Sequence, residues 1–479
     1  MSARNNGVYD YDLVVIGSGP AGHSAAVQAA RLRKRVAIVE CGTVVGGVCV
    51  NTGTIPSKTL REALMYLSGY REHLIYGVSY TVKQHITMKD LLTRVDPVVR
   101  HEIDVMRHQL LRNGVELKMA YGSFGDPHTV QLTSADGHSQ SRITAQIILI
   151  ATGSEATRDA HIPFDAHCIF ASDDILALDE LPRTLTVVGA GVIGCEYASM
   201  FAALGVKVTL IDKRTRLLPF VDGEISEALS YHLRENRVTV RLGEEVSGIK
   251  LYDDGRPQPV ELALASGKHI VTDKALYSIG RTGAVRQLNL EAAGVKADQR
   301  GRITVNEFYQ TEVPHIYAAG DVIGFPALAA TSMEQGRVAV AHAFDTDFQG
   351  AIEFFPYGIY TVPEVSFIGR TEEELTGAGI PYEIGKARYR EVARGQIIGD
   401  ETGMLKLLFH SDTRELLGVH IIGEGACELV HVGAAVLSLG GKLDYFLKAV
   451  FNYPTLAQCY KIAALDGISR LGRNSPSAS

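Results

Sequence analysis

Leu13-Val14-Val15-Ile16-Gly17-Ser18-Gly19-Pro20-Ala21-Gly22 is the stretch on which the reading of this 479-residue chain turns. Four apolar residues in a row read as a buried parallel strand. The G-x-G-x-x-G turn follows at once, and a helix is predicted to about Arg33. Val36 to Val39 reads as the next strand, with Glu40 at its end, 18 residues beyond Gly22. This is a β-α-β unit. Gly17, Gly19 and Gly22 let a pyrophosphate approach backbone N–H groups at a helix start, where the dipole favours negative charge. Glu40 is placed to accept hydrogen bonds from an adenosine ribose.

The same grammar returns. Leu185 to Val188 reads as a strand, Gly189-Ala190-Gly191-Val192-Ile193-Gly194 as the turn, and a helix is predicted to about Leu204. Lys207 to Ile211 then forms a strand ending at Asp212. Gly189, Gly191 and Gly194 repeat the phosphate-binding turn, and Asp212 repeats the ribose-binding acid. Two complete copies argue for two dinucleotide sites, one suited to a held flavin and one to a diffusing nicotinamide nucleotide. After Asp212 come Lys213 and Arg214, with Arg216 just beyond. They read either as a solvated basic turn or as contacts for a 2′-phosphate.

Composition bounds the rest. Hydrophobic residues make up 46% and charged residues 21%, which is ordinary for a folded chain of about three domains. Lys+Arg is 47 against Asp+Glu 54, so the basic footprint of a nucleic-acid binder is absent. No apolar run reaches the roughly 20 residues of a membrane span, and Met1 to Asp10 has no apolar core of a secretory signal. None of the six cysteines forms C-x-x-C, so reduced cytoplasmic thiols are expected. The sixteen histidines include no H-E-x-x-H, and no metal is expected.

Between the two units, Ile147-Ile148-Leu149-Ile150 leads into Ala151-Thr152-Gly153, Ala275 to Ile279 leads into Gly280-Arg281, and Ile316-Tyr317-Ala318-Ala319 leads into Gly320-Asp321. Each is a strand meeting a turn. From about Ala351 mixed strands and helices are expected, among them a strand Leu417 to Gly423 and a helix Ala426 to Leu439.

The segment Gly46-Gly47-Val48-Cys49-Val50-Asn51-Thr52-Gly53-Thr54-Ile55-Pro56-Ser57-Lys58 resembles the G-G-x-C-x-x-x-x-C-x-P-S-K motif of the flavoprotein disulfide reductases, which include dihydrolipoamide dehydrogenase, glutathione reductase and mercuric reductase. In that family the two cysteines form a redox disulfide beside the flavin. Here Cys49 is kept and Thr54 replaces the second sulfur, so dithiol chemistry at this site is excluded and Cys49 reads as a packing residue. The family's C-terminal His-Pro-Thr motif, with its Glu five residues after the His, aligns with Tyr453-Pro454-Thr455-Leu456-Ala457-Gln458. Neither Tyr453 nor Gln458 titrates usefully near neutral pH. Both halves of the disulfide machinery are missing together, while both dinucleotide fingerprints are intact.

Gly53 to Lys58, Phe451 to Thr455, Glu196 to Gly205 and Gly320 to Ala329 are similar to the corresponding segments of the soluble, flavin-containing pyridine nucleotide transhydrogenases. The resemblance spans about residues 9 to 470. Gln458 departs from the glutamate of that group. The resemblance implies FAD as cofactor, with NAD and NADP as substrates. Hydride would pass from NADPH to NAD by a ping-pong route through the reduced flavin. It implies that Gly17, Gly19, Gly22 and Glu40 bind the adenosine half of FAD and Asp321 its ribityl chain, with Gly47, Cys49, Thr54, Thr152, Gly153, Gly320 and Ala329 also among the cofactor-binding residues. Lys58 and Glu196 are its catalytic pair beside the flavin N5. Gly189, Gly191, Gly194 and Asp212 would hold the nicotinamide nucleotide, and Lys213, Arg214, Gly280 and Arg281 are counted among the cofactor-binding residues.

The implied architecture is α/β, glutathione reductase-like: two Rossmann-like dinucleotide-binding domains and a C-terminal α+β dimerisation domain. The expected boundaries are 1–157 with 282–348 for FAD, 158–281 for NAD(P) and 349–472 for dimerisation, with a disordered tail at 473–479. A homodimer or larger homo-oligomer follows, in which the C-terminal domain completes the partner's site. Two other functions fit parts of the sequence: an NAD(P)H-dependent diaphorase acting on quinone or oxygen, and a non-catalytic flavoprotein interaction subunit.

Overall fold

Continuous apolar runs become central parallel strands because helices cover both faces of their sheets. A computed structural model describes residues 8–77, 79–252, 254–255, 258–346 and 354–474. In it, Tyr11–Ile16 is a strand buried at every position. Pro20–Arg31 is the following helix, with proline at its start, where a missing N–H costs nothing. Val36–Glu40 is the second strand. The first strand pairs in parallel with Val36–Glu40 on one side and with Gln140–Ile150 on the other, Val15 facing Ile38 and Leu149. Glu116–Met119 extends one edge, Ile316–Ala318 pairs with Gln140–Ile150, and Thr129–Thr133 and Tyr121–Asp126 add an antiparallel flap. The fingerprint turn lies at the carboxyl end of the central strand, where neighbouring connections diverge and a crevice opens.

The second unit repeats this plan. Its sheet runs Thr239–Leu242, Lys207–Asp212, Thr184–Val188, Lys274–Tyr277, Ile169–Ala171, parallel throughout. Helix Val192–Ala203 follows the central strand. The strand expected over Ala275 to Ile279 stops at Tyr277, because Ser278 to Gly280 forms a turn with Gly280 at φ +145°. The chain then returns as Arg281–Gly283, antiparallel to Ser154–Ala156, so one two-stranded ribbon carries it into and out of this unit.

The C-terminal part is a five-stranded antiparallel sheet in the order Tyr357–Ile359, Val365–Gly369, Leu416–Ile422, Met404–His410, Tyr382–Arg388. Helices Ala426–Ser438 and Gln458–Asn474 flank it. The last helix reaches Asn474, so residues 473 and 474 are helical rather than tail; residues 475–479 lie outside the described residues, as does the expected boundary at 348/349. Buried Lys406 joins this sheet to the second unit through Asp222, at 2.8 and 3.0 Å. Glu224 at 3.2 Å and Glu372 complete its shell. These carboxylates gather around the Lys406 ammonium. No helix among the described residues is long and apolar enough to cross a membrane.

Candidate active site

One nucleotide cavity, about 520 Å³, opens at the first fingerprint. Its three glycines have three different reasons. Gly17 has φ +103°, and a Cβ there would lie 2.4 Å from the Ala151 carbonyl oxygen. A Cβ on Gly22 would lie 2.0 Å from the Gly17 carbonyl oxygen, so this glycine lets helix and strand pack. A Cβ on Gly19 would meet nothing within 4 Å. Its bareness therefore serves whatever approaches from the cavity, as a pyrophosphate does. Gly47 stands opposite, its Cβ position 3.1 Å from Gly19 Cα.

Glu40 is buried at the end of its strand. Oε2 accepts from the Ser18 N–H at 2.9 Å and from the Ser18 hydroxyl at 2.5 Å, while Oε1 accepts from the Gly42 N–H at 2.7 Å. The acid is thus fixed at the cavity rim by the turn it serves. Thr152, Gly153, Gly320, Asp321 and Ala329 line the same cavity. The Thr152 hydroxyl is buried without a hydrogen-bond partner among the described residues, a cost that a bound polar group would remove. The open space at Gly19, the fixed acid and the orphaned hydroxyl fit an adenine dinucleotide running from Glu40 towards Asp321. These residues would hold FAD.

Cys49 and Thr54 also line this cavity, within hydrogen-bond reach of each other. Burial pushes the Cys49 thiol up, away from the thiolate form. All six cysteines are free. A lone protonated thiol facing a hydroxyl can store no electron pair.

The second fingerprint repeats the glycine logic. Gly189 has φ +104° with the Ser278 carbonyl oxygen 2.5 Å from its Cβ position; Gly194 would strike the Gly189 carbonyl oxygen at 1.8 Å; Gly191 faces open space. The cavity there, about 610 Å³, is lined by Asp212, Lys213, Arg214 and Gly280 among others. Asp212 accepts from the Ala190 N–H at 2.6 Å. Burial would raise its pKa, but the hydrogen bonds from Arg214 and Ala190 win and hold it below the ordinary value. Lys213 pairs loosely with Glu245 at 3.8 Å. Arg216 is turned elsewhere: it bonds Glu373 at 2.9 Å and the Val221 carbonyl, and it does not line this cavity. Its guanidinium is thus committed to Glu373 and Val221 and does not face the place of a 2′-phosphate.

Between the two nucleotide cavities lies a third, about 500 Å³, and Lys58 meets Glu196 there. Lys58 sits on helix Thr54–Ser68 and Glu196 on helix Val192–Ala203. The ammonium donates to both carboxylate oxygens, at 2.9 and 2.8 Å. The acid is 5% exposed and the lysine 27%, so the cation keeps a face towards the cavity. Arg281 lines this middle cavity rather than either nucleotide cavity. It donates to the Ser154 hydroxyl and carbonyl, both at 2.8 Å, and to Asp173 at 2.9 Å. Ser154 in turn donates to Asp321 at 2.7 Å.

Sequence reasoning missed Ser18, Ser154 and Asp173, and also Tyr357 and Tyr360, which line the middle cavity. Ser18 and Ser154 stand next to residues already singled out, and that adjacency was the available signal. Nothing local marks Tyr360, which comes from the C-terminal part. Tyr453 is 75% exposed and lines none of these three cavities of its own chain.

A doubled dinucleotide fold with a lysine–carboxylate pair between its two clefts defines a class of nicotinamide-linked flavoprotein. Residues 11–342 match the model of the pyridine nucleotide-disulphide oxidoreductases, and residues 355–464 match the dimerisation domain of the same family; the chain belongs to this family. It is 53% identical over 462 residues to the soluble pyridine nucleotide transhydrogenase of Mycobacterium bovis (strain BCG / Pasteur 1173P2), covering 96% of this chain and 98% of that protein. It is 44% identical over 467 residues to the protein of that name from Colwellia psychrerythraea, covering 97% and 99%. Among solved structures it resembles LpdA from Mycobacterium tuberculosis, with TM-score 0.86 and 26% identity, covering 95% and 99% of the two chains. It also resembles the HOCl-induced flavoprotein disulfide reductase RclA from Escherichia coli, with TM-score 0.84 and 25% identity over the same shares.

Proposed function

We infer that this chain is an NAD(P)+ transhydrogenase: it moves hydride from NADPH to NAD through FAD, without a redox disulfide. The observation that carries the reading is the pairing of an intact Lys58–Glu196 site between two dinucleotide clefts with a Cys49 that faces Thr54. Electrons entering such a site have no dithiol to leave by, so a second nicotinamide is the matching acceptor. FAD, when bound, supplies the ring that takes hydride from one nicotinamide and yields it to the next.

The chain's own residues bind and orient. Gly17, Gly19 and Gly22 present the helix start to the flavin pyrophosphate, Glu40 takes the adenosine ribose, and Thr152, Gly153, Gly320, Asp321 and Ala329 line the path to the ring. Gly47, Cys49 and Thr54 close the near wall. Lys58 holds positive charge where negative charge develops, and Glu196 fixes the lysine. Gly189, Gly191 and Gly194 receive each nicotinamide nucleotide in turn, with Gly280 behind the turn. Asp212 takes a free 2′-hydroxyl, and Arg214 with Lys213 a 2′-phosphate. Arg281 acts one step back, through Ser154 on Asp321. No proton donor is needed, because hydride leaves one nicotinamide and reaches another with no net proton.

The domain division that accompanies this reading is 1–157 with 282–348 for FAD, 158–281 for NAD(P) and 349–472 for dimerisation. The apolar Leu439, Val450 and Tyr453, exposed at 86%, 95% and 75%, support a homodimer closed through the C-terminal part. Six free thiols support a cytoplasmic setting.

The test is anaerobic mixing of the yellow protein with NADPH and thio-NAD. Reduced thio-NAD should form rapidly and without added dithiol. Flavin bleaching with no thio-NAD reduction would replace this reading with a quinone or oxygen reductase. No bleaching by NADPH or NADH would replace it with a non-catalytic flavoprotein.

A further inference from the structure

We propose that Tyr360 is a positioning residue for Lys58, holding the lysine by its ring and the lysine's counter-ion by its backbone. The proposal rests on the Lys58 role given above and adds a residue from the C-terminal part of the same chain.

The Lys58 ammonium lies over the Tyr360 ring, 4.9 Å from its centroid. The Tyr360 N–H donates to Glu196 Oε1 at 2.8 Å. One residue therefore touches both members of the pair, the cation through its π face and the anion through its main chain. A lysine is a point charge on a flexible stem, so contacts from two directions decide where its charge sits.

The segment that carries Tyr360 is itself pinned from both helices of the site. Arg61, one turn beyond Lys58 and 2% exposed, donates from Nε to the Thr361 carbonyl at 3.1 Å and pairs with Glu364 at 3.2 Å. The Val362 N–H donates to the Ser199 hydroxyl at 3.0 Å, and that hydroxyl donates to the Glu196 carbonyl at 2.8 Å. Lys58, Tyr360, Val362, Ser199 and Glu196 thus form a closed circuit of contacts across three segments distant in sequence. The hydroxyl of Tyr360 takes no part in it; it reaches towards Cys427.

The experiment compares the holoenzyme with Tyr360→Leu, Tyr360→Phe, Lys58→Met and the double variant Lys58→Met/Tyr360→Leu. The readouts are the midpoint potential of the bound flavin, by spectroelectrochemistry, and kcat and KM with both nucleotides. Tyr360→Leu should move the potential towards that of Lys58→Met and lower kcat about tenfold, the size of one desolvated cation–π contact, with KM little changed. Tyr360→Phe should recover most of that loss. The double variant should match Lys58→Met alone. A wild-type potential in Tyr360→Leu, a double variant whose losses add, or a Phe variant no better than Leu would overturn the proposal. Should Tyr360→Leu not retain flavin, Ser199→Ala, which frees the Val362 N–H, must shift the potential in the same direction, and no shift overturns the proposal. The potential does not depend on the electron acceptor, so failure of thio-NAD reduction and failure of this proposal are separate results.

Discussion

The Arg214 guanidinium closes on the Asp212 carboxylate with hydrogen bonds of 2.9 Å from Nε and 2.6 Å from Nη2, and the Arg214 main-chain N–H adds a third at 2.8 Å. The acid suited to a ribose hydroxyl and the cation suited to a phosphate thus occupy the same few ångströms. The pair can open either way: Asp212 bonds the free 2′-hydroxyl of NAD, or Arg214 turns to the 2′-phosphate of NADP. Arg214→Ala should lower kcat/KM for NADPH by about 10- to 100-fold and spare NADH, as expected for losing charge-assisted hydrogen bonds. Equal losses for the two donors would remove Arg214 from phosphate recognition.

Lys58→Met should lower kcat by about 10²- to 10³-fold, the range for deleting one preorganised charge-stabilising donor. Glu196→Gln should lower it less, because the amide still holds the lysine while its counter-charge is gone. Stopped-flow flavin reduction by NADPH reads both directly.

Thr54→Cys should place a second sulfur beside Cys49 without creating lipoamide reduction. The exchange of thiols needs a base, and neither Tyr453 nor Gln458 provides one. Thiol titration would report the new sulfur, and the lipoamide assay should stay at background.

Lys406→Met should destabilise the fold by about 3–5 kcal/mol, since it leaves Asp222 buried beside Glu224 and Glu372 with its central cation gone. Burial alone would raise the Asp222 pKa; the charges of His420 and Lys406, with the Lys406 hydrogen bonds, bring it below its ordinary value of 3.8. Burial would lower Lys406, and its bonds to Asp222 and Glu372 raise it above 10.5. An acid with a lowered folded pKa contributes above its unfolded pKa and loses that contribution as pH falls through the folded value. A base with a raised one contributes below its unfolded pKa and loses it as pH rises. The pair therefore stabilises fully between about pH 4 and pH 10. Denaturant titrations should show the wild-type advantage over Lys406→Met at pH 7 and its decline below about pH 4.

Val450→Asp should shift the particle towards the mass of one chain in light scattering and suppress thio-NAD reduction, if the partner's C-terminal part completes the site. Val450 is 95% exposed in the single chain, so the change puts no charge into the chain's own core.

What the sequence determined by itself was everything written in short-range grammar. An apolar strand, a glycine turn whose carbonyls leave no room for a Cβ, a helix and a terminal acid are set by residues within about thirty positions of one another, twice. The exchange of Cys for Thr54 and of His for Tyr453 was equally legible, because a missing sulfur or imidazole is a chemical fact before any folding. Tertiary structure alone decided which of the marked residues meet. It turned Arg216 away to Glu373, tied Arg281 to Ser154 and Asp173, and closed Arg214 over Asp212. It also brought the backbone of Tyr360, 164 residues from Glu196, onto that carboxylate. Those placements depend on packing between separate sheets and on buried charges finding partners across domain seams. No local spacing encodes either.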